Sequence, residues 1–151
     1  MLYFGKNKNI TVYFLVSLQF ICLFLIVVTG PLYPESPILQ LLYLMGMTIG
    51  LWGIFSMNSD TLNVPPNVRP NAELTARGPY AVIRHPMYLA LMLVSLSLVI
   101  IKPTVFRIIV ETTLVIDLLI KMNTEEKLLL QNLEGYNEYR KKTWKVIPFI
   151  Y

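Results

Sequence analysis

One histidine stands in 151 residues, and its neighbours combine charge, aromatic rings and turn formers. His85 follows Arg84 and precedes Pro86-Met87-Tyr88; Gly78-Pro79-Tyr80 lies just upstream, after Leu74-Thr75. Pro86 suits the first turn of a helix, which leaves Arg84 and His85 at a helix N-terminus. Unpaired backbone N–H groups and a partial positive charge there favour an anionic group such as a carboxylate or phosphate. Tyr80 and Tyr88 add hydroxyls and ring faces that attract a cation or stack on an adenine. The same residues also suit an interfacial belt in which Arg84 reaches lipid headgroups, and residue type alone leaves both readings open.

A second cluster follows Lys121. Asp117, Lys121 and Glu125 are spaced so that a helix puts them on one face, with Glu126 turned by about 100° from Glu125. A carboxylate at the lip of a membrane cavity binds ribose hydroxyls or a cation. The plainer reading is a solvated helix start whose charge pairs each contribute a few tenths of a kcal/mol. The lone Cys22 excludes an intramolecular disulfide, and one His with one Cys argues against a metal site.

The elements that must position these clusters are apolar. Charged residues make up 15% of the chain and hydrophobic ones 55%, where a soluble domain carries roughly 25% charged residues. The length predicts one domain, 1–151. Residues 10–29 form an apolar run with Gln19 as its one strongly polar side chain, about 30 Å of helix and so about one bilayer core. The run is too long for a signal-peptide core and lacks a cleavage site, so it reads as a retained helix. A second span covers 38–57, where Gly46, Gly50 and Gly53 share a face suited to close helix packing. Residues 58–85 form a polar, Pro- and Asn-rich loop, long enough to be functional. Two further spans, 86–101 and 104–120, are separated by Lys102-Pro103. Arg107 and Glu111, four residues apart on the last of them, are expected to pair. A polar, helical C-terminal segment, 121–151, completes an all-α integral membrane protein with about four transmembrane helices.

Charge sets the orientation. Lys6, Lys8, Arg69, Arg77, Arg84, Lys121, Lys127, Arg140, Lys141, Lys142 and Lys145 fall on one side of this four-span arrangement, and only Lys102 and Arg107 near the other. The positive-inside rule puts both termini and both polar clusters in the cytoplasm. The net charge of +4 forms no stripe, so no nucleic-acid partner is expected.

Gly78-Pro79-Tyr80-x-x-x-Arg84-His85-Pro86-Met87-Tyr88, then Glu125-Glu126-Lys127-Leu128-Leu129, then Tyr136-x-x-Tyr139 and Ile147-Pro148 together resemble the isoprenylcysteine carboxyl methyltransferase family, one of the membrane phospholipid methyltransferases. The match covers about residues 58 to 151. The resemblance implies a membrane enzyme that uses S-adenosyl-L-methionine in a cytosolic pocket closed by the C-terminal segment, with a lipophilic or prenylated acceptor arriving from the bilayer. Carried over by position, His85, Pro86, Met87 and Tyr88 line the cofactor pocket, Tyr80 packs on the cofactor, Leu74 and Thr75 give backbone contacts, and Glu125 binds from the second motif. Arg84 or His85 suits the methionine carboxylate. The family's acceptor-facing arginine corresponds to Lys121, which replaces a bidentate fork with a point charge. Ala90 stands where a glycine is usual.

Methyl transfer from a sulfonium is an in-line displacement that needs positioning and exclusion of water, and a carboxylate acceptor needs no general base. The leading expectation is therefore isoprenylcysteine-type carboxyl O-methylation, with Lys121 and Glu125 as the catalytic pair. The alternatives are N-methylation of a lipid amine, a nicotinamide-dependent membrane reductase of related fold, and a non-catalytic scaffold. The 2′-phosphate of NADPH calls for more basic residues than the 58–88 region offers.

Overall fold

The computed structural model describes residues 6–57 and 74–148; most of the expected functional loop, 58–73, lies outside the described residues. The elements run α1 (Lys6–Val28), α2 (Pro37–Ser56), a 3-10 turn (Gly78–Ala81), α3 (Pro86–Ile101), α4 (Val105–Asn132) and α5 (Tyr136–Lys142). No strand occurs among the described residues, where one isolated parallel bridge joins Ile83 to Trp144. Prolines set the starts: Pro37 opens α2 and Pro86 opens α3, each where a helix has no use for that N–H. Thr104 caps α4 by accepting the Arg107 N–H at 3.3 Å.

The last helix departs from expectation. The sequence reading ends the span at 120 and starts a separate segment at 121, yet α4 continues unbroken to Asn132. Its 28 residues extend about 42 Å, longer than a hydrocarbon core of about 30 Å. Among the described residues α2 alone is long and apolar enough to cross a bilayer; the Tyr13–Val28 part of α1 and the whole of α3 are apolar but shorter.

The molecule is inverted in polarity. Large apolar side chains point outward, including Phe14, Phe20 and Phe24 on α1 and Ile38, Leu41 and Phe55 on α2. Polar ones point inward: Gln19, Ser95, Arg107, Glu111, Asp117 and Lys121 are all buried. Water would not tolerate that apolar surface, whereas lipid does, and ionisable groups in lipid turn to the bundle interior. α1 packs on α4, α2 on α3, and α3 on α4. Leu98 and Val99 of α3, Cys22 and Ile26 of α1, and Leu114, Leu118 and Met122 of α4 form the shared core. The glycine face of α2 serves packing as expected. A Cβ at Gly46 would sit 2.8 Å from Val94 Cγ2 and 3.0 Å from the Ala90 carbonyl oxygen.

Arg107 does not pair with Glu111. Its guanidinium donates to Ile26 O at 2.7 Å, Thr29 Oγ1 at 3.0 Å and Leu98 O at 2.6 Å. Ile26 and Leu98 lie in the last turns of α1 and α3, whose terminal carbonyls have no intrahelical partner. One cation on α4 thus caps two helices at once. Gly30 is needed for this approach, since any Cβ there would strike the guanidinium. Glu111 instead accepts from Ser95 Oγ at 3.0 Å, which ties α4 to α3.

Candidate functional site

The site forms where α3 begins and where α4 emerges from the apolar bundle. Gly78 brings the chain to this point: its φ of +59° suits glycine, and a Cβ would collide with the Ser56 hydroxyl at the end of α2. Arg77 Nε donates to Ser56 O at 3.0 Å. The 3-10 turn then delivers residues 82–85 to the C-terminal strap. Trp144 N donates to Val82 O (2.9 Å), Arg84 N to Trp144 O (2.8 Å) and His85 N to Lys145 O (3.1 Å). Tyr139 Oη donates to Tyr80 O at 2.7 Å. The backbone of the histidine motif is therefore fixed from both sides before its side chains reach α4.

Glu126 is the hub of what they reach. Its carboxylate meets Arg84 Nε at 2.7 Å, His85 Nε2 at 3.4 Å, Arg140 Nε at 3.9 Å and Lys145 Nζ at 4.0 Å. Arg84 Nη1 also donates to the carbonyls of Arg140 (3.1 Å) and Thr143. His85 lies between the two glutamates, with Nδ1 3.6 Å from Glu125 Oε2. Glu125 accepts the hydroxyl of Tyr88, whose ring is 5.5 Å from the imidazole. Lys121 Nζ stands over the Tyr88 ring, 5.4 Å from its centroid, and donates to Gln19 Oε1 at 2.5 Å.

A family profile described as phospholipid methyltransferase matches residues 36–135, which run from the start of α2 to the loop before α5. The chain belongs to the phospholipid methyltransferase family. No curated protein and no solved structure matches it. The membership makes it one of the membrane methyltransferases, in keeping with the outward-facing apolar surface.

Within this methyltransferase the expected site residues divide into groups. Arg84, His85, Tyr88, Lys121 and Glu125 converge at one end of the α3–α4 pair. Pro86 and Met87 face α2: a Cβ at Gly53 would lie 3.8 Å from Pro86 Cγ and 3.3 Å from Met87 Cγ. The Tyr80 hydroxyl reaches the same Gly53 position, at 3.8 Å. Leu74 and Thr75 are half-buried in irregular chain ahead of Gly78. Glu126 and Gln19 are absent from the sequence-derived set. The signal for Gln19 was its isolation in an apolar run, since a lone polar group in a span turns inward.

The adjacent glutamates are pushed in opposite directions. Burial raises Glu125 above the usual carboxylate range, against the pull of His85, Tyr88 and Lys121. Burial also opposes the charge on Glu126, but the hydrogen bond and charge of Arg84, with the His85 ring beside it, hold it down at about 2. Burial lowers Lys121 against the attraction of Glu125 and Asp117. Carboxylates whose environments drive them apart take different roles. Glu126 is the fixed anion of a latch, and Glu125 is the carboxyl that burial shifts towards its neutral form. Among the described residues no His, Cys, Asp and Glu group is arranged to hold a metal ion.

Proposed function

We propose that this protein transfers a methyl group from S-adenosyl-L-methionine to a lipophilic acceptor at the cytoplasmic face of the membrane. The convergence of His85 and Tyr88 with Glu125 at the emerging end of α4 carries the reading. The donor set fits the cofactor's charged groups: Glu125 offers a carboxylate to an amino group or to ribose hydroxyls. The rings of Tyr88 and Tyr80 suit a sulfonium. Bound S-adenosyl-L-methionine supplies an activated methyl group; the chain's own residues bind, orient and keep water out. His85 and Tyr88 position Glu125. Arg84, engaged by Glu126 and the C-terminal carbonyls, acts as the tie that holds the 143–148 strap over this end of the bundle. Leu74, Thr75, Pro86 and Met87 form the flank of the same pocket.

The whole chain acts as one domain with α1 to α4 as membrane crossings, both termini cytoplasmic. The Lys and Arg distribution supports this orientation, and it places the latch outside the hydrocarbon. Two acceptor chemistries suit the position of Lys121. A prenylated cysteine carboxylate would meet its ammonium, as the motif order implies. A lipid amine would meet the carboxylates beside it on α4, Asp117 and Glu125. The test is transfer of labelled methyl from S-adenosyl-L-methionine to a farnesylcysteine analogue and to phosphatidylethanolamine vesicles by the detergent-purified protein. Label in either extracted lipid supports the reading; none in either, from folded protein, refutes it.

A further inference from the structure

Gln19 is the polar member of an otherwise apolar stripe. Leu15, Gln19, Cys22 and Ile26 recur every three or four residues along α1, and all are buried. That spacing lines one face of a helix, and α1 packs on α4. An amide in such a seam costs free energy unless it is hydrogen-bonded. Its partner stands on α4, 102 residues along the chain: Lys121 Nζ donates to Gln19 Oε1 at 2.5 Å. Lys121 has nearer choices. Asp117 lies one turn before it and Glu125 one turn after, on the same helix face. A flexible four-carbon stem lets an ammonium fall onto either carboxylate. Lys121 forms an ion pair with neither among the described residues. Both Asp117 oxygens lack a hydrogen-bond partner there, and Glu125 takes the Tyr88 hydroxyl and lies beside His85. The ammonium instead stands between the Gln19 amide and the Tyr88 ring.

We propose that Gln19 is a positioning residue for acceptor recognition: its amide holds the Lys121 ammonium over Tyr88 and off Asp117 and Glu125, leaving N–H donors to meet an oxyanion of the acceptor. This rests on the methyl-transfer reading above. It adds to that reading a residue of α1, a helix that ends before residue 36, where the family profile begins. An amide suits the task because its oxygen accepts without carrying charge. A carboxylate there would neutralise Lys121, and an apolar side chain would release it. Gln19 engages one of the three ammonium N–H groups, so two remain. Lysine lacks the planar fork with which arginine meets a carboxylate or phosphate in fixed geometry. A fixed neutral acceptor gives direction to that point charge. Both acceptor chemistries named above carry an oxyanion: a prenylated cysteine ends in a carboxylate, and a phospholipid amine has a phosphodiester beside its nitrogen. Without Gln19 the ammonium swings to Asp117, the unpartnered carboxylate one turn away, and its charge is lost to the acceptor.

The test titrates a farnesylcysteine analogue and a short-chain phosphatidylethanolamine into the whole protein in detergent, without cofactor, and then measures methyl transfer to each. The acceptor that wild type binds tells carboxylate from phosphodiester and becomes the probe. Gln19→Met keeps the length of the side chain without its oxygen. It is expected to weaken probe binding about tenfold, the effect of losing a hydrogen bond to a charged group. KM for the probe should rise by a similar factor with less change in kcat, and S-adenosyl-L-methionine affinity should stay at the wild-type value. A Lys121→Arg background separates positioning from packing, because a guanidinium brings its own fork. There Gln19→Met should change probe affinity by less than about twofold. Equal losses in both backgrounds, or a Gln19→Met protein with wild-type probe affinity, would overturn the proposal. Should Gln19→Met fail to fold, Gln19→Glu decides, since it keeps the hydrogen bond and cancels the charge: wild-type probe affinity in that variant overturns the proposal. Wild type that binds neither acceptor overturns it as well. Wild type that binds an acceptor yet transfers no methyl group sinks the methyl-transfer reading, while the binding results still decide the role of Gln19.

Discussion

Replacing Glu126 by Gln isolates the latch, because the substitution keeps shape and one acceptor oxygen while removing the charge. Glu126 is held at about 2 against an ordinary 4.5, a difference of about 3 kcal/mol of preference for the charged form. The charge is nearly buried, with its side chain 8% exposed and that of Arg84 equally so. Its loss therefore leaves a guanidinium buried without a counter-charge, which is the costly half of a broken pair. The sign follows from the depressed value. Stability from Glu126 is present above about 4.5 and is lost as pH falls towards 2. Glu125, raised by burial, acts in the opposite sense and loses stability as pH rises through the unfolded value. The assay is thermal unfolding in detergent, paired with limited proteolysis of the C-terminal strap that Arg84 and His85 hold. Glu126→Gln should be destabilised by about 3 kcal/mol, should be cut faster after α5, and should lose the wild-type decline between pH 4.5 and 2. A variant as stable and as protease-resistant as wild type would show that the latch carries nothing.

The Arg107 cap makes a second claim. Arg107→Met should destabilise by about 3 kcal/mol or more, and Gly30→Ala by about 1–3 kcal/mol through overpacking. Gly30→Ala should have little effect once Arg107 is Met, so additive losses in a double-mutant cycle would contradict the shared contact. Lys121→Ala should weaken acceptor binding more than cofactor binding. Equal loss of both ligands would make Lys121 a cofactor residue.

Much of the fold is written in punctuation. α3 falls where Pro86 and Lys102-Pro103 set it, since proline restricts both itself and its predecessor. Hydropathy misplaced the end of α4 because composition reports the solvent, not the helix. Lys121 marks where the apolar run ends, and the helix continues for eleven further residues, to Asn132. The Arg107–Glu111 expectation failed for a related reason. Spacing of four identifies neighbours on one helix, but the Arg107 guanidinium reaches across to the end carbonyls of α1 and α3, while Glu111 accepts from Ser95 of α3. That His85, Tyr88 and Glu125 come together was legible because the motif order places them at matching ends of two helices. Glu126 was not, because a doublet on a helix does not say which member faces α3. Only α5 and the strap after it, which carry Arg140 and Lys145 to Glu126, settle that.

Calorimetric titration of S-adenosyl-L-methionine into the detergent-purified protein, with its demethylated product, NADPH and a His85→Ala variant alongside, tests the central claim most directly. The account predicts saturable binding of the first two ligands to wild type, none of NADPH, and loss of both in a His85→Ala protein that remains folded. Wild type that binds neither sulfur compound, or a His85→Ala variant that binds them as tightly as wild type, would contradict it.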